Sequence, residues 1–529
     1  MDDQDDKMKT DRRTFLKSLA ASSLLIPSAL ETVLGLDEGL KNPADFRPRL
    51  RNLTAPWWGF MDSYLWDYPH PQALDGIKPL VYGTGYASWG AWATINAALF
   101  ASVSTYWEDE YFSASPAQYR TKAGRLETSI RLIAYALGYH TSGDWDGADG
   151  GRWGSEQVTD GWQEGYNNWH SPIWLTFLAE AAAALGNDLP SSLKARIDRA
   201  IIHDADVQCG LDLRNFDGNA RDIGEGTSLE SHSWKASLLT LARCLFPDHP
   251  HYDTWLKREI ILWASSFAVP GDDELPDKID GYRLKDIVRG SHLTPSFVGN
   301  HHGFTHPGYM TWPLLSRVTA REWAARYNNS LPQAAARHEK EVFQRLLGFY
   351  DSGRLVYPAG QDWPRWIYAQ AYFLPVILHY RLRQGDDYPY LPLIANELMD
   401  TRRRDADASA DGGQASGRLL PFYDDRAFEF HRYETDMVAS AAIADLMLTR
   451  HPQTNDEKSS KNLLITQTTS TFEEPLCDLI YQKNNSRITA VSWRAHGGPV
   501  QITCLPLGSS HLAEWQGNGA PEFKLENLP

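Results

Sequence analysis

Positive charge, thiols and unbroken apolar runs are all scarce in this chain, and each scarcity closes off a class of function. Lysine and arginine number 51 against 67 aspartates and glutamates, a formal net charge of −16. A chain so charged is a poor partner for nucleic acid or an anionic membrane, although an acidic ligand can still sit in a local basic cleft. The four cysteines stand at 209, 244, 477 and 504, and no two have the C-x-x-C spacing of a zinc ribbon or thioredoxin-like centre. No apolar run reaches the ~20 residues that a membrane-crossing helix needs. P-loop, dinucleotide-binding and serine-hydrolase motifs are absent, and no fixed period marks a short-repeat solenoid.

Aromatic residues are abundant instead. With 20 Trp, 24 Tyr and 19 Phe they make up 12% of the chain. Indole rings fill the cores of large helical domains, which is the expected role for most of them. Rings also stack on the apolar faces of sugars, so a minority are candidates for a glycan cleft.

From 37 to 455 the apolar residues recur at helical spacing. Helices are expected over 84–102, 118–137, 173–185, 193–202, 227–245, 255–267, 310–327, 331–349, 365–383 and 433–448. Ser171 and Pro172 have the form of an N-cap followed by proline at the first helical position, and Gly186 marks the end of that helix. Thr227 and Glu230 have the spacing of a capping box. Ten or so helices joined by long Gly-, Pro- and Trp-rich loops give a mainly α protein. By analogy they give an (α/α) toroid, a barrel of helical hairpins. After a polar linker, 456–529 carries short β-branched runs at 462–468, 477–482, 487–493 and 499–504, a small antiparallel β region. It reads either as a sheet docked on the helices or as the start of a larger domain. Cys477 and Cys504 flank two of these runs and could bridge in an oxidising compartment.

Residues 1–36 resemble a twin-arginine export signal. Arg12 and Arg13 are followed by Phe15, Leu16 and Lys17 and then by a short apolar run, 19–26. The resemblance implies a periplasmic or secreted bacterial protein with no membrane segment in its mature form. The acidic start, Asp2 to Asp6, is unusual for such a signal and makes Met8 an alternative initiator. No Ala-x-Ala site fixes the cleavage point.

The stretch 295–310 concentrates chemistry. Asn300, His301, His302, His306 and Tyr309 fall within ten residues, and Gly299, Gly303, Pro307 and Gly308 break regular structure there. Amide, imidazole and phenol groups on one loop suit proton transfer; a cluster of hydrogen-bonded loop histidines is the plainer alternative. Arg289 lies just upstream as a possible cationic helper. Other Gly-flanked loops carry Glu225, then Asp362 with Trp363 and Arg365, and then Trp162, Glu164, Trp169 and His170. Trp162, Trp169, His170, Trp363, Arg365 and Arg289 are the expected substrate-binding residues.

The segment resembles the catalytic stretch of polysaccharide lyases that join an (α/α) toroid to a β-sandwich: chondroitin AC and hyaluronate lyases, and more distantly heparinase II/III and alginate lyases. Ser296, Phe297, Val298, His301 and Tyr309 are similar to the first group, with the His–Tyr spacing one residue short. The adjacent Asn300 and His301 look like the Asn-His pair of the alginate lyases. The family's separate upstream asparagine has no clear counterpart here. The resemblance covers about fifteen residues together with the expected architecture. It implies β-elimination on an acidic, uronate-containing polysaccharide or oligosaccharide. Asn300 and His301 would bind the carboxylate and Tyr309, or His306, would act as base and then acid, with no cofactor or metal.

Three other readings are open. Glu225 or Glu164 facing Asp362 at roughly 6.5–9.5 Å would make an inverting glycoside hydrolase on the same scaffold. An aromatic cleft without such a pair would make a non-catalytic glycan binder. A metal held by His301, His302 and His306 is disfavoured, because adjacent histidines rarely ligate one ion. Oligomeric state is not encoded in any feature of the chain.

Overall fold

A helix with no polar stripe must be buried on every side, and this chain contains several. The computed structural model describes residues 46–69, 74, 76–87, 89–156, 162–211, 213, 227–301, 303–359, 370–384, 387–411, 417–420, 427–451, 469–494 and 501–508, with 162–168, 384, 411, 427–430 and 501 described by backbone alone. All of them belong to one compact unit, 42–529. The longer helices are α1 (Phe46–Thr54), α2 (Trp57–Asp62), α3 (Trp89–Ser104), α4 (Lys122–Gly138), α5 (Trp162–Leu185), α6 (Ser191–Gly210) and α7 (Leu229–Leu245). They continue with α8 (Tyr252–Ser266), α9 (Pro307–Arg326), α10 (Glu339–Gly348), α11 (Gln370–Gln384), α12 (Leu391–Asp411) and α13 (Ala427–Arg450).

Helix α3 carries no charge and buries every residue from Gly90 to Ser104. Helices α7 and α9 are buried around almost their whole circumference. These odd-numbered helices pack in succession: α3 on α5, α5 on α7, α7 on α9, α9 on α11, α11 on α13, and α13 back on α3. Each even-numbered helix from α4 to α12 packs on the odd-numbered helix before it, and α1 packs on α13 and α12. Helix α10 shows why these partners differ. It buries Val342, Phe343, Leu346 and Leu347 at i, i+1, i+4, i+5 spacing and leaves Lys340, Glu341 and Gln344 exposed. The protein is thus mainly helical, with a small antiparallel sheet near its C-terminus.

Tryptophan fills the centre. Ten indoles, among them Trp92, Trp174, Trp234 and Trp312, are less than 2% exposed, so the expected core role holds for them. Trp92 touches Trp174, Trp234 and Trp312 at ring-centroid distances of 5.9, 6.1 and 5.4 Å. Edge contacts of this kind add about 0.5–1.5 kcal/mol per pair beyond burial. Asp436 on α13 ties the same region together. Its Oδ1 accepts from Trp92 Nε1 at 2.8 Å, Asn96 Nδ2 at 2.9 Å and the Tyr372 hydroxyl at 2.8 Å, joining α3, α11 and α13.

Among the described residues four two-stranded hairpins punctuate the helices: β1 (Leu65–Asp67) with β2 (Leu80–Tyr82), β3 (Lys278–Ile279) with β4 (Tyr282–Arg283), β5 (Asn300–His301) with β6 (Phe304–Thr305), and β7 (Tyr350–Asp351) with β8 (Arg354–Leu355). The C-terminal sheet comprises β9 (Ser470–Glu474), β10 (Leu479–Lys483), β11 (Arg487–Ser492) and β12 (Gln501–Pro506), antiparallel in the order β12-β11-β10-β9. It docks on the helical part. The Tyr481 hydroxyl donates to Gly348 O at 2.6 Å, and Phe349 lies 5.0 Å from the Tyr481 ring and 5.9 Å from Phe472. Lys483 points the same way and donates to Tyr350 O; burial pulls its ammonium down to about 8.

Several local expectations are corrected. Helix α5 runs through Pro172 rather than starting there. Ser171 does not cap a helix; its hydroxyl donates to the buried Asp204. An interior proline costs about 3 kcal/mol, which the burial of Ile173, Trp174, Phe177 and Leu178 outweighs. Thr227 does not close a capping box, because its hydroxyl donates to Asn300 O at 2.5 Å and Ser228 is the N-cap. The expected helix over 331–349 is a 3₁₀ turn, Gln333–Ala336, followed by α10. Cys477 and Cys504 are not bridged; all four cysteines are free thiols. Helices α1, α2 and α12 and strand β9 were not expected from periodicity, whereas Gly186, at φ +54°, follows the last residue of α5 as expected. The expected strand at 462–468 and the export signal lie outside the described residues.

Candidate active site

The stretch around Asn300 is more ordered than its glycines imply. Asn300 and His301 form β5 and pair with Thr305 and Phe304 of β6. His306 is then the N-cap of α9, with Pro307 in the first-turn position that its missing N–H suits. Tyr309 therefore sits in the first turn of a helix rather than in a loop. The reversal folds the two groups together: the His301 and Tyr309 rings are stacked at a centroid distance of 3.5 Å. The His306 ring meets the Tyr309 ring edge-on at 4.5 Å and the Tyr357 ring at 5.1 Å. His301 and Tyr309 are each 2% exposed, and Asn300 and His306 are fully buried.

Thr227, at the entrance to α7, fixes the pair from the other side. Its hydroxyl bonds Asn300 O, and its own carbonyl lies 3.2 Å from His301 Nδ1. A carbonyl can only accept, so Nδ1 carries a proton and donates to Thr227 O. Among the described residues the Asn300 side-chain amide makes no hydrogen bond through either Oδ1 or Nδ2, although both atoms are buried. A buried amide left so is costly, about 1–3 kcal/mol for each lost partner. The first turns of α7 and α9 both lie beside this turn, and the positive ends of their dipoles favour negative charge.

An aromatic wall adjoins the turn. Trp169, half-buried, stacks on His170 at 4.8 Å and lies 6.5 Å from the His301 ring. His170 is packed against Trp174 and Trp234, each at 5.5 Å. On α13 the Arg432 guanidinium lies over Trp89 and Trp92 at 4.0 and 4.1 Å.

The structure therefore brings together Asn300, His301, His306, Tyr309, Trp169 and His170. Arg289 is used locally: its guanidinium donates to the carbonyls of Val288 and Asp286 at 3.1 and 2.9 Å. Trp162 begins α5 but only its backbone is described. Glu225, Asp362, Trp363, Arg365 and His302 lie outside the described residues. Thr227, Trp234 and Tyr357 belong to the site and were missed as site residues. Their only local signal is a place beside a Gly-rich loop. Among the described residues no three His, Cys, Asp or Glu side chains are grouped so as to hold a metal ion, and no helix is long and apolar enough to cross a membrane. Comparison with family models, with curated proteins and with solved structures returned no match to this chain.

Proposed function

We propose that this protein is an exported polysaccharide lyase that cleaves a uronate-containing glycan by β-elimination, on an (α/α) toroid of which α3, α5, α7, α9, α11 and α13 are the inner helices. The succession of helix contacts that returns from α13 to α3 supports the toroid. The observation that carries the chemistry is the stack of His301 on Tyr309 at 3.5 Å beside a buried Asn300 amide with no hydrogen-bond partner among the described residues.

Elimination makes three demands. The uronate carboxylate must be hydrogen-bonded so that the proton on the adjacent carbon becomes acidic; the Asn300 amide donates to it. The charge that builds on that carboxylate as the proton leaves is favoured by the positive ends of the α7 and α9 dipoles. A base must take the proton; Tyr309 as phenolate fills that role, and its place in the first turn of α9 favours the anion. An acid must protonate the departing glycosidic oxygen, and the phenol that Tyr309 has just become supplies that proton. His301 stacks on the Tyr309 ring at the same locus, and His306 borders that ring edge-on. Trp169 offers a face for a sugar ring. Both reacting side chains are closed off from solvent, so turnover includes a step that opens the site. The twin-arginine-like N-terminus supports a periplasmic or secreted location.

The test is a set of uronate-containing polysaccharides incubated with purified protein. The expected product carries an unsaturated uronic end with ultraviolet absorbance, and Tyr309→Phe abolishes its formation. New reducing ends without that absorbance would sink the lyase reading and favour hydrolysis.

A further inference from the structure

Ser296 precedes Asn300 by four residues, and its main chain is gripped from both sides by elements distant in sequence. Its N–H donates to Glu474 Oε2 at 3.3 Å, and its carbonyl accepts from Arg345 Nε at 2.8 Å. Glu474 ends β9, is 1% exposed and also accepts from Leu476 N at 3.1 Å. Arg345, on α10, reaches Ser470 Oγ with a second nitrogen at 3.1 Å and lies 4.0 Å over the Phe472 ring. A charged acceptor and a charged donor, each held in turn by the C-terminal sheet, therefore fix one peptide unit.

From there the chain has little freedom before Asn300. Phe297 N donates to Thr294 O at 2.9 Å, Val298 N to Thr294 Oγ1 at 3.1 Å, and Thr294 N to Val298 O at 3.0 Å. Phe297 is held at φ +59°, a conformation unfavourable for an aromatic residue that persists only when its surroundings over-determine it. A Cβ at Gly299 would stand 2.8 Å from Met310 Cγ, so the next step lies tight against α9. The 3₁₀ turn after β9 makes a second approach, with the Cys477 thiol beside Thr305, the strand partner of Asn300.

We infer that the C-terminal sheet is a positioning element for the candidate active site, with Glu474 and Arg345 as positioning residues that hold Ser296 and thereby set Asn300 and His301 against Tyr309. The functional consequence rests on the lyase reading above; the mechanical one does not. Neither residue touches the reacting groups.

Two measurements on the full chain separate the two claims. Hydrogen–deuterium exchange by mass spectrometry reads the peptide spanning 296–306 in Glu474→Ala, Arg345→Ala, Glu474→Gln and Arg345→Met. The alanine variants are expected to exchange at least tenfold faster there and unchanged in α3 and α7. Glu474→Gln, which keeps an acceptor, is expected to stay near wild type. Steady-state kinetics on a cleaved uronate glycan then gives kcat reduced tenfold or more with KM within twofold for the alanine variants, and rescue by Glu474→Gln. Unchanged exchange over 296–306 overturns the clamp whatever the activity. Should the alanine variants not fold, Arg345→Met decides: it keeps an apolar stem over Phe472 and removes every N–H donor to Ser296 O, so wild-type exchange in it is the overturning result. A wild type inactive on every uronate glycan removes the lyase reading, and the exchange data alone then judge the clamp.

Discussion

Thr227 illustrates how much one side chain outside the motif contributes. It contributes its hydroxyl to Asn300 and its carbonyl to His301, so it holds both the backbone of β5 and the Nδ1 proton of the imidazole. Thr227→Val keeps the shape and removes the donor to a buried carbonyl. A loss of about 1–2 kcal/mol in unfolding free energy is expected, measured by urea denaturation. His431 gives a different residue-scale prediction. Packed against Tyr64 at 4.4 Å and Tyr82 at 5.4 Å, it is held down to about 4 by burial, from 6.5. The folded protein thus binds this proton more weakly than the unfolded chain. Its contribution to stability is fully present above pH ~6.5 and is lost as pH falls from there towards ~4. The full shift corresponds to roughly 3 kcal/mol. Unfolding measured at pH 7 and pH 5 should show a smaller drop in His431→Gln than in wild type; equal drops would remove the assignment.

At the scale of elements, charge content agrees with burial in two helices. Helix α3, without a charged residue, and α10, with a single apolar stripe, differ on the page before any coordinates are known. What periodicity misjudged was termini and interruptions. Pro172 and Ser171 carry every local mark of a helix start, yet α5 continues through them because packing of the following turns outweighs one lost backbone bond. Helix α12 was missed because its later half, rich in Arg and Asp, has no apolar stripe to read. The docked sheet offers an element-scale test. The Tyr481 hydroxyl makes its 2.6 Å bond to Gly348 O in a buried site. Tyr481→Phe is expected to cost about 1–2 kcal/mol and, through the sheet, to raise exchange at 296–306. Loss of stability without that local effect would mean the sheet and the turn are uncoupled.

For the whole molecule, on the lyase reading proposed above, a net charge of −16 opposes the encounter with an anionic glycan. The mean field repels it, so raising the ionic strength from about 0.01 M to about 0.1 M, where screening shortens to ~10 Å, is expected to increase kcat/KM. A fall over the same range would mean that a local basic surface, not the net charge, governs approach. Periodicity, composition and glycine placement determined by themselves that the chain is mainly helical and that amide, imidazole and phenol groups cluster near residue 300. These are local properties, written in neighbouring residues. Only the tertiary structure decided that His301 lies on Tyr309, that Thr227 holds His301 from 74 residues away, and that Glu474 holds Ser296 from 178 residues away. Such pairings leave no local signal, because a hydrogen bond depends on where two groups meet in space, and distance along the chain does not enter it.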